Sequence, residues 1–90
     1  MGETPLHLAA RYNRIEIAEK LLDKVDTIDA GNRYDQTPLH YAAIGGCKAI
    51  FKDLINRGAD PEKTDRWNNH LFHFAVGKGN TQFLIYLLES

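Results

Sequence analysis

The sequence predicts an all-α solenoid of stacked antiparallel helix pairs with projecting β-hairpin fingers. Two observations lead to this prediction. A unit of about 33 residues occurs three times within the 90 residues of the chain. Each unit also holds two short apolar patterns at helical spacing, and a long polar connection separates one unit from the next. Because 90 residues is the size of one small domain, residues 1–90 are assigned to a single domain.

The repeat is most visible in one tetrapeptide. Thr4-Pro5-Leu6-His7 returns as Thr37-Pro38-Leu39-His40, 33 positions later. Another 33 positions lead to His70-Leu71-Phe72-His73, which keeps the apolar third residue and the histidine. Small and apolar residues further along the unit align in the same register without a gap. The predicted repeats are about 2–34, 35–67 and 68–90.

Each unit contains signals for two helices. Thr4 can cap a free backbone N–H at a helix start, and Pro5 suits the first helical position. Asn13, Gly46 and Gly79 align at the end of this short helix, and these residue types most readily adopt a left-handed conformation. A second helix follows with apolar residues at i, i+1, i+4 and i+5, which in the first copy are Ile17, Ala18, Leu21 and Leu22.

The connection between units is long. It runs over 14 residues from Asp23 to Gln36 in the first copy. Connections of this length inside a compact domain usually have a function. In the second copy, turn-forming residues occur at 58–61 and again at 65–68. We therefore expect each connection to project as a hairpin or extended finger.

The motif Thr-Pro-Leu-His-x-Ala on a 33-residue period resembles the ankyrin repeat, and the resemblance covers essentially the whole chain. The resemblance implies a scaffold that binds a partner protein along the concave surface made by the fingers and the first helices. It implies neither catalytic activity nor a cofactor. It also implies that His7, His40 and His73 are structural and form bonds near the helix start.

Some positions depart from the family pattern. Asp35 and Asn68 stand where a turn glycine is expected, and both residue types tolerate a left-handed turn. The third copy has His70-Leu71 in place of Thr-Pro, so it lacks both the cap and the proline. The chain also begins inside a repeat and stops at the end of a helix, which leads us to expect a segment of a longer array.

The composition argues against several classes of partner. A content of 43% hydrophobic and 26% charged residues is typical of a soluble globular protein. The net charge of −1 gives no attraction to nucleic acid or to an anionic membrane surface. No apolar run reaches the roughly 18 to 20 residues needed to cross a bilayer. The single cysteine cannot form an internal disulfide, which predicts an intracellular location, cytoplasmic or nuclear.

The histidines do not predict a metal site. His7, His40 and His73 share one position in units that stack about 8–10 Å apart. Ligands of one zinc ion must instead converge on a point about 2.0–2.1 Å from each nitrogen. His70 lies three residues before His73, but no Cys, Asp or Glu completes a set. We therefore predict no metal and no cofactor.

Catalytic residues are not predicted either. Cys47 lies at the start of a second helix, where the helix dipole lowers the pKa of a thiol. The repeat pattern, however, places no base beside Cys47. Gly45-Gly46 does not follow a strand, so it does not form a phosphate-binding loop. The interpretation is a protein without an active site.

Residues that vary between copies are the candidates for partner binding. Arg33-Tyr34 and Arg66-Trp67 occupy the same position at the two finger tips, and these residue types dominate interface hot spots. The alternative is that the aromatic side chains pack on the neighbouring finger, and one residue can do both. The concave surface transferred from the resemblance also contains Glu3. The predicted partner-binding residues are Arg11, Tyr12, Arg33, Tyr34, Gln36, Ile44, Arg66, Trp67, Asn69 and Lys78.

The last helix provides the alternative hypothesis. Ile85-Tyr86 stands where the earlier copies have the charged pairs Glu19-Lys20 and Lys52-Asp53. A terminal repeat usually presents a polar outer face, and this one is less polar than its neighbours. The leading hypothesis is a protein–protein interaction scaffold. The alternative is a structural segment of a longer array, or a unit that self-associates through Ile85 and Tyr86.

Overall fold

The computed structural model describes residues 2–24, 28–76 and 81–89, without the side chains of residues 72, 76, 81 and 84. Within these ranges the first helices of the units are α1 (Pro5–Arg11), α3 (Pro38–Gly45) and α5 (Leu71–Val76). The second helices are α2 (Ile15–Leu22), α4 (Lys48–Asn56) and α6 (Thr81–Glu89). No strand is assigned in the described part of the chain. The all-α prediction is confirmed.

The helices form two layers. Each first helix packs against the second helix of its own unit, and α3 lies between α1 and α5 in the inner layer. The outer helices α2 and α4 are also in contact. Small side chains allow this close packing, because the alanines of the inner helices are almost fully buried: Ala9, Ala10, Ala42, Ala43 and Ala75.

Threonine and histidine form the predicted helix starts. Thr4 Oγ1 accepts a hydrogen bond from the His7 N–H (3.3 Å), and His7 Nδ1 accepts one from the Thr4 N–H (3.0 Å). Thr37 and His40 repeat this reciprocal capping box at α3. In the third copy the exposed His73 keeps one of these bonds, since its Nδ1 accepts from the His70 N–H at 2.9 Å. The helix α5 therefore begins in the same register without Thr-Pro.

Left-handed residues end the inner helices and turn the fingers. Asn13 and Gly46 have φ angles of 58° and 67° after α1 and α3, as predicted. Asp35 and Asn68 have φ angles of 63° and 66° at the positions where the family pattern has glycine. The corresponding prediction for Gly79 lies outside the described residues.

The hydrophobic core runs continuously through the repeats. Leu39, Ile50 and Leu54 in the middle unit are fully buried. Phe51 and Phe83 join the second and third units through an edge-on ring contact with centroids 5.2 Å apart. Among the described residues, no helix combines the length and the apolar character that a membrane span requires.

Candidate partner-binding surface

The buried side chain of Asn32 holds the first finger tip. Asn32 Oδ1 accepts hydrogen bonds from the N–H groups of Tyr34 (2.9 Å) and Gln36 (3.0 Å). The backbone closes over it, because the Asp35 N–H donates to the Asn32 carbonyl (3.0 Å) and the Asn32 N–H to the Gln36 carbonyl (2.9 Å). With Asp35 left-handed, this is the geometry of a three-residue hairpin loop.

Asp65 holds the second tip in the same way. Its Oδ1 accepts from the N–H groups of Trp67 (2.9 Å) and Asn69 (2.8 Å), and its Oδ2 accepts from Asn69 Nδ2 (3.1 Å). Burial raises the pKa of this carboxyl group, but the hydrogen bonds from Asn69 and Trp67 outweigh burial and hold the pKa below its usual range. The two tips are therefore built on one plan.

The two finger tips are joined to each other. The Arg66 N–H donates to the Tyr34 carbonyl at 2.8 Å. The rings of Tyr34 and Trp67 lie 5.1 Å apart at an angle of 32°, and the Arg66 guanidinium carbon is 6.0 Å from the centre of the Tyr34 ring. Trp67 nevertheless remains 60% exposed. The aromatic tips pack on the neighbouring finger, which is one of the two interpretations, and Trp67 also keeps more than half of its surface exposed.

Two other predicted residues pair on the inner helix α1. The Arg11 guanidinium carbon lies 5.7 Å from the centre of the Tyr12 ring, and Tyr12 is 60% exposed. Arg33, next to the first tip, is also exposed. Arg11 itself is half-buried, so Tyr12 and Arg33 are the accessible members of this set.

The remaining predicted residues are less accessible. Gln36 and Asn69 are half-buried, and their side chains are hydrogen-bonded to Asn32 and Asp65 within the fingers. Ile44 is half-buried against the core. Lys78 lies outside the described residues. The structure therefore brings the tip residues together and uses Gln36 and Asn69 to support them.

Buried histidines connect the helix starts to the fingers. His7 Nε2 donates to the Gln36 carbonyl (2.7 Å), and His40 Nε2 donates to the Lys63 carbonyl (2.9 Å). Since a carbonyl only accepts, Nε2 carries the proton, and Nδ1 is left to accept from the threonine N–H. Burial lowers the pKa of both imidazoles, which stay neutral. The structural role that the resemblance implied for His7 and His40 is confirmed.

A polar network that the sequence reasoning missed links the first two units. The Tyr41 hydroxyl donates to Glu3 Oε2 (2.9 Å) and accepts from Asn32 Nδ2 (2.9 Å). Glu3, which was expected on the concave surface, is exposed, and its carboxylate is bonded to Tyr41. The signal for the finger anchors was available in the sequence, because Asn32 and Asp65 are 33 positions apart. No sequence pattern indicated the bond between Tyr41 and Glu3.

A family model described as ankyrin repeats (3 copies) matches residues 1–65, which is more than half of the chain. The chain belongs to the ankyrin repeat family. Its relatives are much longer proteins. It is 34% identical over 95 residues to the nuclear factor NF-kappa-B p105 subunit of Rattus norvegicus, covering 99% of this chain and 10% of the relative. It is 37% identical over 84 residues to the palmitoyltransferase AKR1 of Lachancea kluyveri, covering 92% and 11%.

A third relative shares a shorter segment. The neurogenic locus notch homolog protein 1 of Danio rerio is 42% identical over 60 residues, which cover 66% of this chain and 2% of the relative. The ankyrin repeats described here thus span about a tenth or less of the length of these three proteins. The family match ends at residue 65, so the copy that has lost Thr-Pro lies beyond it. The repeat boundaries themselves stay a prediction.

Cys47 lies at a helix start, where the dipole lowers the pKa of a thiol, but with no base beside it the sequence favoured an inert cysteine. Cys47 is buried in the core, and burial raises the pKa of its thiol. The side chain packs where α3 and α4 meet, with Sγ 4.0 Å from the Arg11 carbonyl. An inert core thiol follows.

The described residues of these ankyrin repeats offer few candidates for metal binding or for an unpaired buried polar group. Within the described ranges, no group of three or more His, Cys, Asp or Glu side chains is arranged to hold a metal ion. Every buried side-chain nitrogen and oxygen in the same ranges has a hydrogen-bond partner. The polar groups of the finger region therefore serve to fix its shape.

Proposed function

We propose that this ankyrin repeat segment is a protein–protein interaction scaffold whose partner docks on the joined finger tips and the adjacent inner helices. Ankyrin repeats are protein-interaction modules in general. The proposal specifies which surface of this chain the partner contacts. The observation that supports it most is the Tyr34–Trp67 pair, which is fixed by a ring contact and a backbone bond while Trp67 stays 60% exposed. Exposed tryptophan, tyrosine and arginine are the residues on which binding energy concentrates.

Preorganisation supports the same surface. Asn32 and Asp65 fix the tip backbones through buried hydrogen bonds, and His7 and His40 tie the fingers to the helices. A partner therefore meets a surface that is already ordered, and binding costs little conformational entropy there. Arg33 and Tyr12 are exposed and Arg11 is half-buried, and the proposed surface includes these three side chains.

The proposal is tested by capture on the immobilised chain. Proteins bound by the wild type are identified and quantified by mass spectrometry, and the capture is repeated with Tyr34→Ala and Trp67→Ala. We expect at least about a tenfold loss of the specific partner for Trp67→Ala, since a hot-spot truncation costs about 2 kcal/mol or more. Ile17→Ala, which alters a residue that is 55% exposed on α2, is the matched control and should capture normally. Unchanged capture by both tip variants, with unchanged helical circular dichroism, contradicts the proposal.

The cellular setting and the absence of catalysis belong to the same proposal. We propose an intracellular setting, cytoplasmic or nuclear; the buried free thiol of Cys47 and the name nuclear factor of one relative support it. One relative is named a palmitoyltransferase, but the aligned segment is 11% of its length. We extend no acyltransferase activity to this chain, because the cysteine that it offers is buried.

Self-association through α6 is a second candidate function. Ile85 and Leu88 on this helix are 43% and 67% exposed. Tyr86 contributes less than the sequence suggested, because its half-buried ring packs against Phe51 and lies 4.7 Å from Lys48 Nζ. Light scattering should then give a mass that rises with concentration in the wild type and stays monomeric in Ile85→Glu. A wild type that is monomeric at every concentration rules out this candidate.

A further inference from the structure

A cavity of about 400 Å³ lies at the junction between the second and third units. Its buried part is apolar and is made by Phe51, Leu71 and Leu87, with the half-buried Ile55 and Tyr86 beside them. The exposed residues Pro61, Glu62 and His70 also line it and form its mouth. This volume lies within the range of sites that hold small ligands or a peptide side chain, roughly 300–1,000 Å³. None of these residues belongs to the finger-tip surface.

The repeat explains why the cavity is at this junction. In the first junction, the position of Pro61 is occupied by Ile28, whose side chain packs against the core. Pro61 is exposed and leaves that space unfilled. The position of Tyr86 is taken by Asp53 in the second unit, so the first junction has no aromatic wall either. Two differences between the junctions, at the positions of Pro61 and Tyr86, thus fall on the lining of the cavity.

The apolar cavity adjoins an acidic depression. Glu62 lines the cavity and also a second, more open hollow of about 640 Å³ on the finger side. Five acidic residues line this hollow against the two basic residues Lys63 and Arg66; they are Asp29, Asp35, Asp60, Glu62 and Asp65. The carboxylate of Asp65 is buried and hydrogen-bonded within the finger, and the other four acidic residues still outnumber the basic ones. An apolar pocket next to a net negative surface is complementary to an apolar side chain next to positive charge.

We propose that this junction binds a basic peptide segment, with one bulky apolar side chain in the cavity and the following arginine or lysine side chains on the acidic hollow. Glu62 stands between the two parts and pairs with the first basic residue. Two adjoining hollows of different character fit an extended peptide that is apolar and then basic. The cavity is distinct from the Tyr34–Trp67 pair, whereas the hollow borders the second finger through Asp65 and Arg66.

Three capped peptides test the proposal on the ¹⁵N-labelled chain by NMR titration. The probe is acetyl-Leu-Arg-Arg-amide, and the comparison peptides are acetyl-Ala-Arg-Arg-amide and acetyl-Leu-Glu-Glu-amide. We expect the probe to shift the amide signals of Phe51, Glu62 and Leu71. The alanine peptide should bind at least about tenfold more weakly, because it buries less apolar surface. The glutamate peptide should not bind. Added salt should lower the affinity of the chain for the arginine probe, because it screens the charges.

Two variants locate the site. Pro61→Ile places in the second junction the residue that packs in the first, and we expect it to abolish the shifts while the rest of the spectrum is retained. Glu62→Gln should lower the affinity for the arginine probe several-fold. Glu19→Gln, on the exposed face of α2, should leave the affinity for the probe unchanged. Shifts confined to other residues, equal binding of the glutamate peptide, or unchanged binding in Pro61→Ile overturns the proposal. Trp67→Ala should have no effect, which separates this result from the test of the finger tips.

Discussion

At the scale of single residues, two histidines have the most defined role. His7 and His40 are 0% and 1% exposed, and each accepts a threonine N–H on Nδ1 and donates from Nε2 to a finger carbonyl. A proton added to Nδ1 removes the acceptor for the threonine N–H and leaves a buried charge. The neutral form is therefore part of the folded structure.

This arrangement predicts a stability that falls with acidification. Burial holds the pKa of His7 and His40 below the ordinary value, so below about pH 6.5 the unfolded chain binds protons that the folded chain excludes. The neutral histidines therefore make their full contribution to the free energy of unfolding above that pH. This contribution decreases as the pH falls toward the lowered pKa. Urea unfolding followed by Trp67 fluorescence at pH 8, 6.5 and 5.5 measures it.

Variants separate this effect from general acid sensitivity. His40→Asn should reduce the pH dependence between pH 8 and 5.5, in addition to any change in stability. His73→Asn, at the same position of the third copy but exposed, should leave the dependence as it is in the wild type. A pH dependence identical in His40→Asn and the wild type would show that the buried histidine is not its source.

At the scale of elements, the fingers are the unusual feature, because irregular turns are held by buried polar side chains. Asn32 and Asp65 are 7% and 6% exposed, and each accepts two backbone N–H groups of its turn. Such a side chain replaces the ladder of a longer hairpin. Because Asn32 and Asp65 hold the two turns in this way, Tyr34 and Trp67 stay in contact although no strand is assigned in the described fingers.

Removing one anchor should therefore loosen a finger. Asp65→Ala leaves the N–H groups of Trp67 and Asn69 without their acceptor, and we expect a loss of about 1–3 kcal/mol in the free energy of unfolding. Asp65→Asn keeps the Oδ1 acceptor, as Asn32 does in the first finger, and should lose less than about 1 kcal/mol. Urea midpoints and the Trp67 emission maximum report both effects, and equal losses in the two variants would contradict this account of the anchor.

At the scale of the whole molecule, stability depends on the junctions between neighbouring units. In such an array each unit contacts its neighbours, so junction contacts add directly to the stability of the stack. Gly45 lies at the first junction, where a Cβ atom would collide with the Arg11 carbonyl of the preceding unit. The first copy has Tyr12 at the same position, and that side chain is 60% exposed. The same repeat position thus has a packing role in one copy and a surface role in another.

Gly45→Ala should consequently weaken the stack. We expect a loss of about 1–3 kcal/mol, since an added carbon in a tight contact forces the backbone to shift. Ala49→Ser, on the exposed side of α4, is the control and should change the free energy of unfolding by about 0.5 kcal/mol or less. Thermal or urea unfolding followed by circular dichroism measures both, and a Gly45→Ala variant as stable as the wild type would mean that the two units are not in close contact there.

The sequence by itself determined everything that depends on a periodic local signal. The Thr-Pro motif predicted helices that begin at Pro5 and Pro38, and the left-handed conformations of Asn13, Gly46, Asp35 and Asn68 followed from residue type. Such features are decided within a few residues of the chain, where propensity and capping act. The sequence also predicted which residues stand at the finger tips, because Arg33-Tyr34 and Arg66-Trp67 align in the repeat.

Tertiary structure decided what depends on the neighbouring unit. Burial raises the pKa of the Cys47 thiol, which lies 4.0 Å from the Arg11 carbonyl of the preceding unit, although its helix position alone would lower it. Glu3 reaches Tyr41 across a junction, and the space beside Pro61 stays open because none of the described side chains of the facing unit fills it. A repeat pattern states which residues are equivalent, but equivalent residues meet different neighbours. Burial, charge pairing and cavities are properties of those contacts, and only the folded stack sets them.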